Sequence, residues 1–181
     1  MVHPTKLVNS LQTNSAFPGV RTLERERGRP YKARLGSNEC LFGTSPAAFQ
    51  AAQASRETLS YYNDPRCFDL IKAICDHGDL DPDRILIDAG IDGLLGLFVR
   101  GFLDPGASAI TTRGSYPTFN YHVPGYGGRL VEIPYTETYQ LALDEMRDAA
   151  HSNHARVCYV SNPDNPTGTF LPRQELARFI D

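Results

Sequence analysis

From residue 84 onward, apolar residues fall into short groups at regular spacing, and polar or glycine-rich turns separate them. Ile85, Leu86 and Ile87 predict a buried strand over 84–88. Leu94, Leu95, Leu97, Phe98 and Phe102 recur at helical spacing and predict a helix that opens at Gly90 and stops at Asp104-Pro105-Gly106. A second strand is predicted over 107–112, and a short helix over 116–123 that breaks at Pro124-Gly125. A third strand covers 129–133, with Val131 and Ile133 on one face; a helix covers 143–150. Val157, Cys158, Tyr159 and Val160 form a fourth strand, and another helix begins at Arg173. Alternation at this spacing requires right-handed crossovers and a mainly parallel sheet with helices on both faces, an α/β three-layer sandwich. The apolar strands agree, because parallel strands are buried on both sides.

The first part of the chain is patterned differently. Residues 1–30 are polar and end in Arg25-Glu26-Arg27-Gly28-Arg29-Pro30, which reads as an arm outside the core. An extended piece follows at 34–39. Ser45-Pro46 supplies an N-cap and a first-turn proline for a helix over 47–58. Asp64-Pro65 repeats that signal before Phe68, Ile71 and Cys75, and Gly78 ends the helix. The expected division is an arm and substrate-side segment over 1–45, then the first part of a large domain over 46–181.

Composition narrows the function classes. The chain has 181 residues, 41% of them hydrophobic and 22% charged, with a formal net charge of −3. This profile suits a globular domain and offers no electrostatic case for nucleic acid or anionic lipid. Apolar runs fall short of membrane-spanning length, and the amino terminus lacks a signal-peptide core. Cys40, Cys67, Cys75 and Cys158 form neither a Cys-x-x-Cys pair nor a disulfide framework, as expected of reduced thiols in a cytoplasmic protein.

The chemistry gathers in three loops. Parallel strands point the same way, so loops 90–93, 113–116 and 162–168 lie on one edge of the sheet, the rim where open α/β sheets bind ligands. Gly90-Ile91-Asp92-Gly93 exposes backbone N–H groups at a helix start, an anion site suited to phosphate. Tyr116 can lay its ring flat against another ring. The run Asn162-Pro163-Asp164-Asn165-Pro166-Thr167-Gly168 ends a strand abruptly, because two prolines remove donors and fix φ. Asn165 can donate there to a ligand oxygen. Phosphate, planar ring and oxygen substituent together describe pyridoxal 5′-phosphate. Other signals are weaker. His151 and His154 lack a further ligand at metal spacing. Ser115 has no activating histidine. No Gly-x-Gly-x-x-Gly opens a helix.

These motifs resemble those of the fold-type I pyridoxal-phosphate aminotransferases, and among them the histidinol-phosphate aminotransferase-like group. Ser37-Asn38-Glu39-Cys40-Leu41-Phe42-Gly43-Thr44-Ser45-Pro46 is similar to Asn-Glu-Asn-Pro-Phe-Gly-x-Ser-Pro. Tyr62-Asn63-Asp64-Pro65 resembles Tyr-Pro-Asp-Pro, and Ala89-Gly90-Ile91-Asp92-Gly93 resembles Gly-Ser-Asp-Glu. Residues 162–168 resemble Asn-Pro-Asn-Asn-Pro-Thr-Gly. The resemblance implies that the backbone of Gly90, Ile91 and Asp92 holds the cofactor phosphate, that Tyr116 stacks on the pyridine ring, and that Asn165 bonds its phenolic oxygen. It implies that Tyr62 reaches the neighbouring subunit's cofactor in a homodimer with shared active sites. Tyr31 and Asn38 would line the substrate pocket. Three positions depart from the group's pattern: Gly93 replaces an acid, Asp164 an asparagine, and Cys40-Leu41 an Asn-Pro. The last leaves the amino donor open.

The resemblance implies transfer of an amino group from an amino acid or amino phosphate ester to a 2-oxo acid, as in amino-acid biosynthesis. A decarboxylase or lyase on the same scaffold is the alternative. The Schiff-base lysine, the pyridinium-binding carboxylate and the carboxylate-binding arginine are expected beyond Asp181. Lys6, Lys32 and Lys72 match no Schiff-base motif and read as surface charge. The chain is therefore expected to be an N-terminal portion, or else a truncated non-catalytic fragment.

Overall fold

A computed structural model describes residues 2–11 and 18–180 of the chain. Its elements in order are α1 (Lys6–Ser10), α2 (Val20–Arg27), α3 (Pro46–Ala54), α4 (Phe68–Gly78), α5 (Gly90–Phe102), β1 (Ser108–Thr112), α6 (Pro117–Gly125), β2 (Arg129–Ile133), α7 (Leu143–Ser152), β3 (Val157–Cys158) and α8 (Arg173–Ile180). No described helix is long and apolar enough to cross a membrane. The chain divides into two units, residues 1–18 with 88–181, and residues 19–87.

The first unit is the α/β sandwich that the alternation predicts. Its sheet has the order β2-β1-β3, and both pairings are parallel. All residues of β1 are buried, as a central parallel strand requires. Alternation along β1 sends Ala109 to one face, where it joins Val99 and Leu103 near α5 and Phe119 and Val123 of α6 in one core cluster. Thr112 points to the opposite face, where its hydroxyl donates to Met146 Sδ of α7 at 3.4 Å. The layers are therefore α5 and α6, the sheet, then α7. Tight contacts fix the α5–α6 layer. A Cβ added at Gly96 would lie 2.8 Å from His122 Cε1, and one at Gly128 only 2.4 Å from Leu103 Cδ2.

Four features differ from the sequence-based expectation. Residues 84–88 form no strand. A short 3₁₀ turn, Pro82–Arg84, runs into extended backbone that pairs with no described strand. Apolarity is only half of what a strand needs. β1 already has both edges occupied by β2 and β3, and Leu86 is exposed. The fourth predicted strand is shorter than 157–160, although the Tyr159 amide still donates to the Ile110 carbonyl at 2.8 Å. Helix α6 continues through Pro124, because the lost amide falls in its last turn, where Tyr126 N–H still reaches the His122 carbonyl at 3.0 Å. The polar arm contains two short helices, α1 and α2, neither of which has a buried residue.

In the second unit, none of the residues 19–87 is buried. Leu41, Phe42, Tyr62 and Phe68 are all exposed. The two helix-start signals behave differently. Ser45 makes no side-chain cap, and only its carbonyl accepts from Phe49. The Asp64 carboxylate accepts from the amides of Phe68 and Arg66, both at 2.9 Å. Those two amides, Phe68 first, hold its carboxyl below the ordinary carboxylate range.

Candidate functional site

The sheet topology selects a place for chemistry. β1 leaves its carboxyl end toward α6 on one face. β3 leaves toward α8, which packs against α7 on the other. Adjacent strands whose connections diverge to opposite faces open a crevice at their carboxyl ends. The loops after β1 and β3 border that crevice, and the amino end of α5 joins them.

Short hydrogen bonds tie these three segments together. The Tyr116 phenol donates to Asp92 Oδ1 in the first turn of α5 at 3.0 Å. Its neighbour Ser115 donates from Oγ to Asp164 Oδ1 at 2.8 Å. Asp164 immediately precedes Asn165. Gly90, Ile91, Asp92, Tyr116 and Asn165 are thus brought to one rim although they come from three separated stretches of sequence.

Each segment has a local reason for its shape. Gly90 has φ +75°, a left-handed conformation that favours glycine, and a Cβ there would meet nothing within 4 Å. Open space therefore lies beside a turn whose next amides, those of Ile91 and Asp92, fall where a helix cannot satisfy its own donors. Gly93, which stands where the resembling motif has an acid, lies close to the Asp88 carboxylate. A Cβ there would stand 2.9 Å from Asp88 Oδ2, while Asp88 Oδ1 accepts the Ala89 amide at 2.7 Å. Tyr116 is half-buried and precedes Pro117, the first residue of α6. Phe119, one turn on, faces inward and stacks on Tyr159 with ring centroids 4.6 Å apart, so Tyr116 is the aromatic left at the rim.

The loop after β3 closes on itself. Asn162 bonds the Leu171 backbone in both directions, donating to its carbonyl at 3.1 Å and accepting its amide at 2.8 Å. The Asn162–Pro163 and Asn165–Pro166 peptides are both cis. The Gly168 amide returns to the Asp164 carbonyl at 2.8 Å. Asn165 contributes its backbone amide to Ser161 Oγ, and its side-chain amide makes no hydrogen bond among the described residues. Burial pushes the Tyr159 phenol up against the opposing hydrogen bond to Ser161, with Tyr116 and then Asp164 adding to the shift.

Asp164 and Tyr135 were not among the predicted site residues. In the sequence Asp164 stands out only as a departure from the motif, and Tyr135 belongs to no motif. Tyr31, Asn38 and Tyr62 lie in the second unit. Tyr31 is exposed, its amide donates to Glu24 Oε1 at 3.1 Å, and the Arg27 guanidinium sits over its ring at 4.8 Å. Asn38 is exposed with φ +45°. Tyr62 is fully exposed. Lys72 pairs with Asp76 one turn along α4. The rim can therefore hold an anion at a helix start, a flat ring against Tyr116, and a polar oxygen at Asn165.

The aminotransferase class I and II family model matches residues 31–181. Histidinol-phosphate aminotransferase 2 of Nitrosospira multiformis is 33% identical over 164 residues, covering 90% of this chain and 41% of that protein. The histidinol-phosphate aminotransferase of Leuconostoc mesenteroides is 31% identical over 178 residues, covering 97% of this chain and 50% of its own. A crystal structure of histidinol-phosphate aminotransferase from Sinorhizobium meliloti in complex with pyridoxal-5′-phosphate superimposes with a TM-score of 0.89 at 39% identity, covering 99% of this chain and 47% of that one. The chain spans half or less of the length of these relatives.

Proposed function

We propose, because this chain belongs to the aminotransferase class I and II family, that it builds the cofactor rim of a pyridoxal-phosphate transaminase. The reaction moves an amino group from an amino acid or an amino phosphate ester resembling histidinol phosphate to a 2-oxo acid. The observation that carries this reading is the rim itself. Hydrogen bonds from Tyr116 to Asp92 and from Ser115 to Asp164 hold an anion-binding helix start, an aromatic ring and a free amide side by side.

These residues fit the cofactor. The amides of Ile91 and Asp92 take its phosphate at the positive end of α5, beside the Gly90 turn, whose own amide donates to the Asp88 carbonyl at 2.7 Å. Open space beside Gly90 admits the phosphate oxygens. Tyr116 covers one face of the ring and excludes water from it. Asn165 donates from its unpartnered amide to the ring's oxygen and fixes the ring's rotation. Bound pyridoxal phosphate supplies an electron sink conjugated to the substrate carbon. Tyr31 and Asn38 are assigned to the substrate side. Tyr62, fully exposed here, is assigned to the cofactor phosphate of a second subunit in a cytoplasmic homodimer. The lysine that bonds the cofactor and carries the proton is assigned to a position beyond Asp181.

The test is a spectrum followed by product analysis. The protein expressed from its gene, mixed with pyridoxal phosphate, should acquire a visible band that borohydride bleaches. It should then pass an amine to a 2-oxo acid. Release of carbon dioxide with no movement of the amine would reject the transaminase reading.

A further inference from the structure

Asp164 is buried, with 4% of its surface exposed, and every described partner of its carboxylate is a donor. Oδ1 accepts from Ser115 Oγ at 2.8 Å. Oδ2 accepts from Tyr135 Oη at 2.8 Å, from Thr167 Oγ1 at 2.7 Å and from the Thr167 amide at 3.3 Å. Ser115 lies in the loop after β1, Tyr135 follows β2, and Thr167 belongs to the loop after β3. One carboxylate therefore ties together the carboxyl ends of all the described strands. Its chain neighbour is Asn165, and the neighbour of its partner Ser115 is Tyr116.

We infer that Asp164 is a positioning residue, a buried acceptor that sets Tyr116 and Asn165 at the spacing the cofactor ring requires. The inference rests on the proposed cofactor reading. Its chemistry is specific. A carboxylate only accepts, so each of the hydroxyls around it can donate to it. With that acceptor removed, three hydroxyls and an amide lose a buried partner at once, and the loops after β1 and β3 lose their only described side-chain link. An asparagine would keep most of the arrangement. Its carbonyl oxygen can occupy the Oδ2 position, and Ser115 can reverse to accept from the amide nitrogen. The same contact marks the Tyr135 phenol, which burial first and the Asp164 hydrogen bond second push up to about 12.

The experiment compares parent, D164A, D164N and S115A proteins, each as expressed from its gene. Pyridoxal phosphate affinity is read by visible absorbance, ring orientation by visible circular dichroism, and the Tyr135 phenol by ultraviolet titration against Y135F. D164A should bind about tenfold or more weakly and lose the dichroic band, since several buried donors are orphaned together. S115A, which cuts one bond and leaves the others, should bind about threefold or more weakly and lose less melting temperature than D164A. D164N should restore affinity to within about threefold of the parent. D164A and S115A proteins that bind within twofold of the parent would overturn the role, as would D164N failing as badly as D164A. A Tyr135 phenol that stays unmoved in D164A would overturn the clamp itself without reference to any cofactor. A parent protein that takes up no pyridoxal phosphate, yet shows the shifted phenol, would reject the function reading and this role with it while leaving the clamp standing.

Discussion

Replacing Tyr116 by phenylalanine and by alanine separates two contributions that the rim combines. The phenol donates to Asp92 Oδ1 at 3.0 Å in a partly exposed setting. Tyr116→Phe removes that bond and keeps the ring. A partly solvated hydrogen bond contributes about 1 kcal/mol, so pyridoxal phosphate affinity should fall about fivefold. Tyr116→Ala removes the ring as well. An offset-stacked aromatic pair contributes about 0.5–1.5 kcal/mol beyond the area it buries. The combined loss is then roughly 1.5–2.5 kcal/mol, or about tenfold to seventyfold in affinity. The assay is titration of the apoprotein with pyridoxal phosphate, followed by visible absorbance. Thermal melting of each variant checks that the fold survives. Alanine binding within twofold of the parent would refute the stacking argument. Equal losses in both variants would show that the phenol, and not the ring, carries the interaction.

Three further outcomes follow from contacts in the two units. Gly128→Ala should destabilise the α/β unit by about 1–3 kcal/mol in denaturant melts, because its Cβ would stand 2.4 Å from Leu103 Cδ2 and 3.1 Å from the Val123 carbonyl, both in the buried core; equal stability would contradict the packing there. Asp64 has a lowered pKa, so its contribution to helix α4 is present above the ordinary aspartate value and is lost as pH falls through the lower folded value; circular dichroism should show Asp64→Ala less helical than the parent at neutral pH and equal to it in acid. Tyr135 is raised from about 10 to about 12, so the folded state holds its proton more tightly; stability from this group is complete below the ordinary tyrosine range and falls as pH climbs through about 12, and Tyr135→Phe should flatten that alkaline loss in urea melts.

Much of the architecture was legible because it depends on local pattern. The helix over Gly90–Phe102 is legible from the recurrence of Leu94, Leu95, Leu97, Phe98 and Phe102, but Leu97, Phe98 and Phe102 are exposed, and the residues that pack against Ala109 and Phe119 are Leu95, Val99 and Leu103. Gly90 announced a helix start, and its positive φ is the conformation that glycine favours there. Pairing is different, because it requires a second element that local pattern does not name. Ile85, Leu86 and Ile87 have strand composition, yet they pair with no described strand. The helices of the arm were missed for the opposite reason. Val20–Arg27 buries nothing, so no apolar stripe marks it, and it ends at Gly28 in a left-handed cap.

The chemistry divides along the same line. Glycines at a helix start, an aromatic before a proline and an Asn-Pro run each carry a local conformational demand, so each could be read in isolation. What joins them are two contacts between distant residues, Tyr116 to Asp92 and Ser115 to Asp164, and the reach of Asp164 is long. Its contact with Ser115 spans 49 positions and its contact with Tyr135 spans 29. Nothing near Ser115 in the chain distinguishes a hydroxyl that clamps a loop from one facing water. In sequence the acid registers only as a departure from an asparagine. In three dimensions the departure is conservative, because every neighbour donates and a carboxylate accepts from all of them. A buried acid at a motif position is therefore best judged by the hydrogen-bonding sense of its surroundings: ringed by donors, it strengthens the loop that the asparagine would have held.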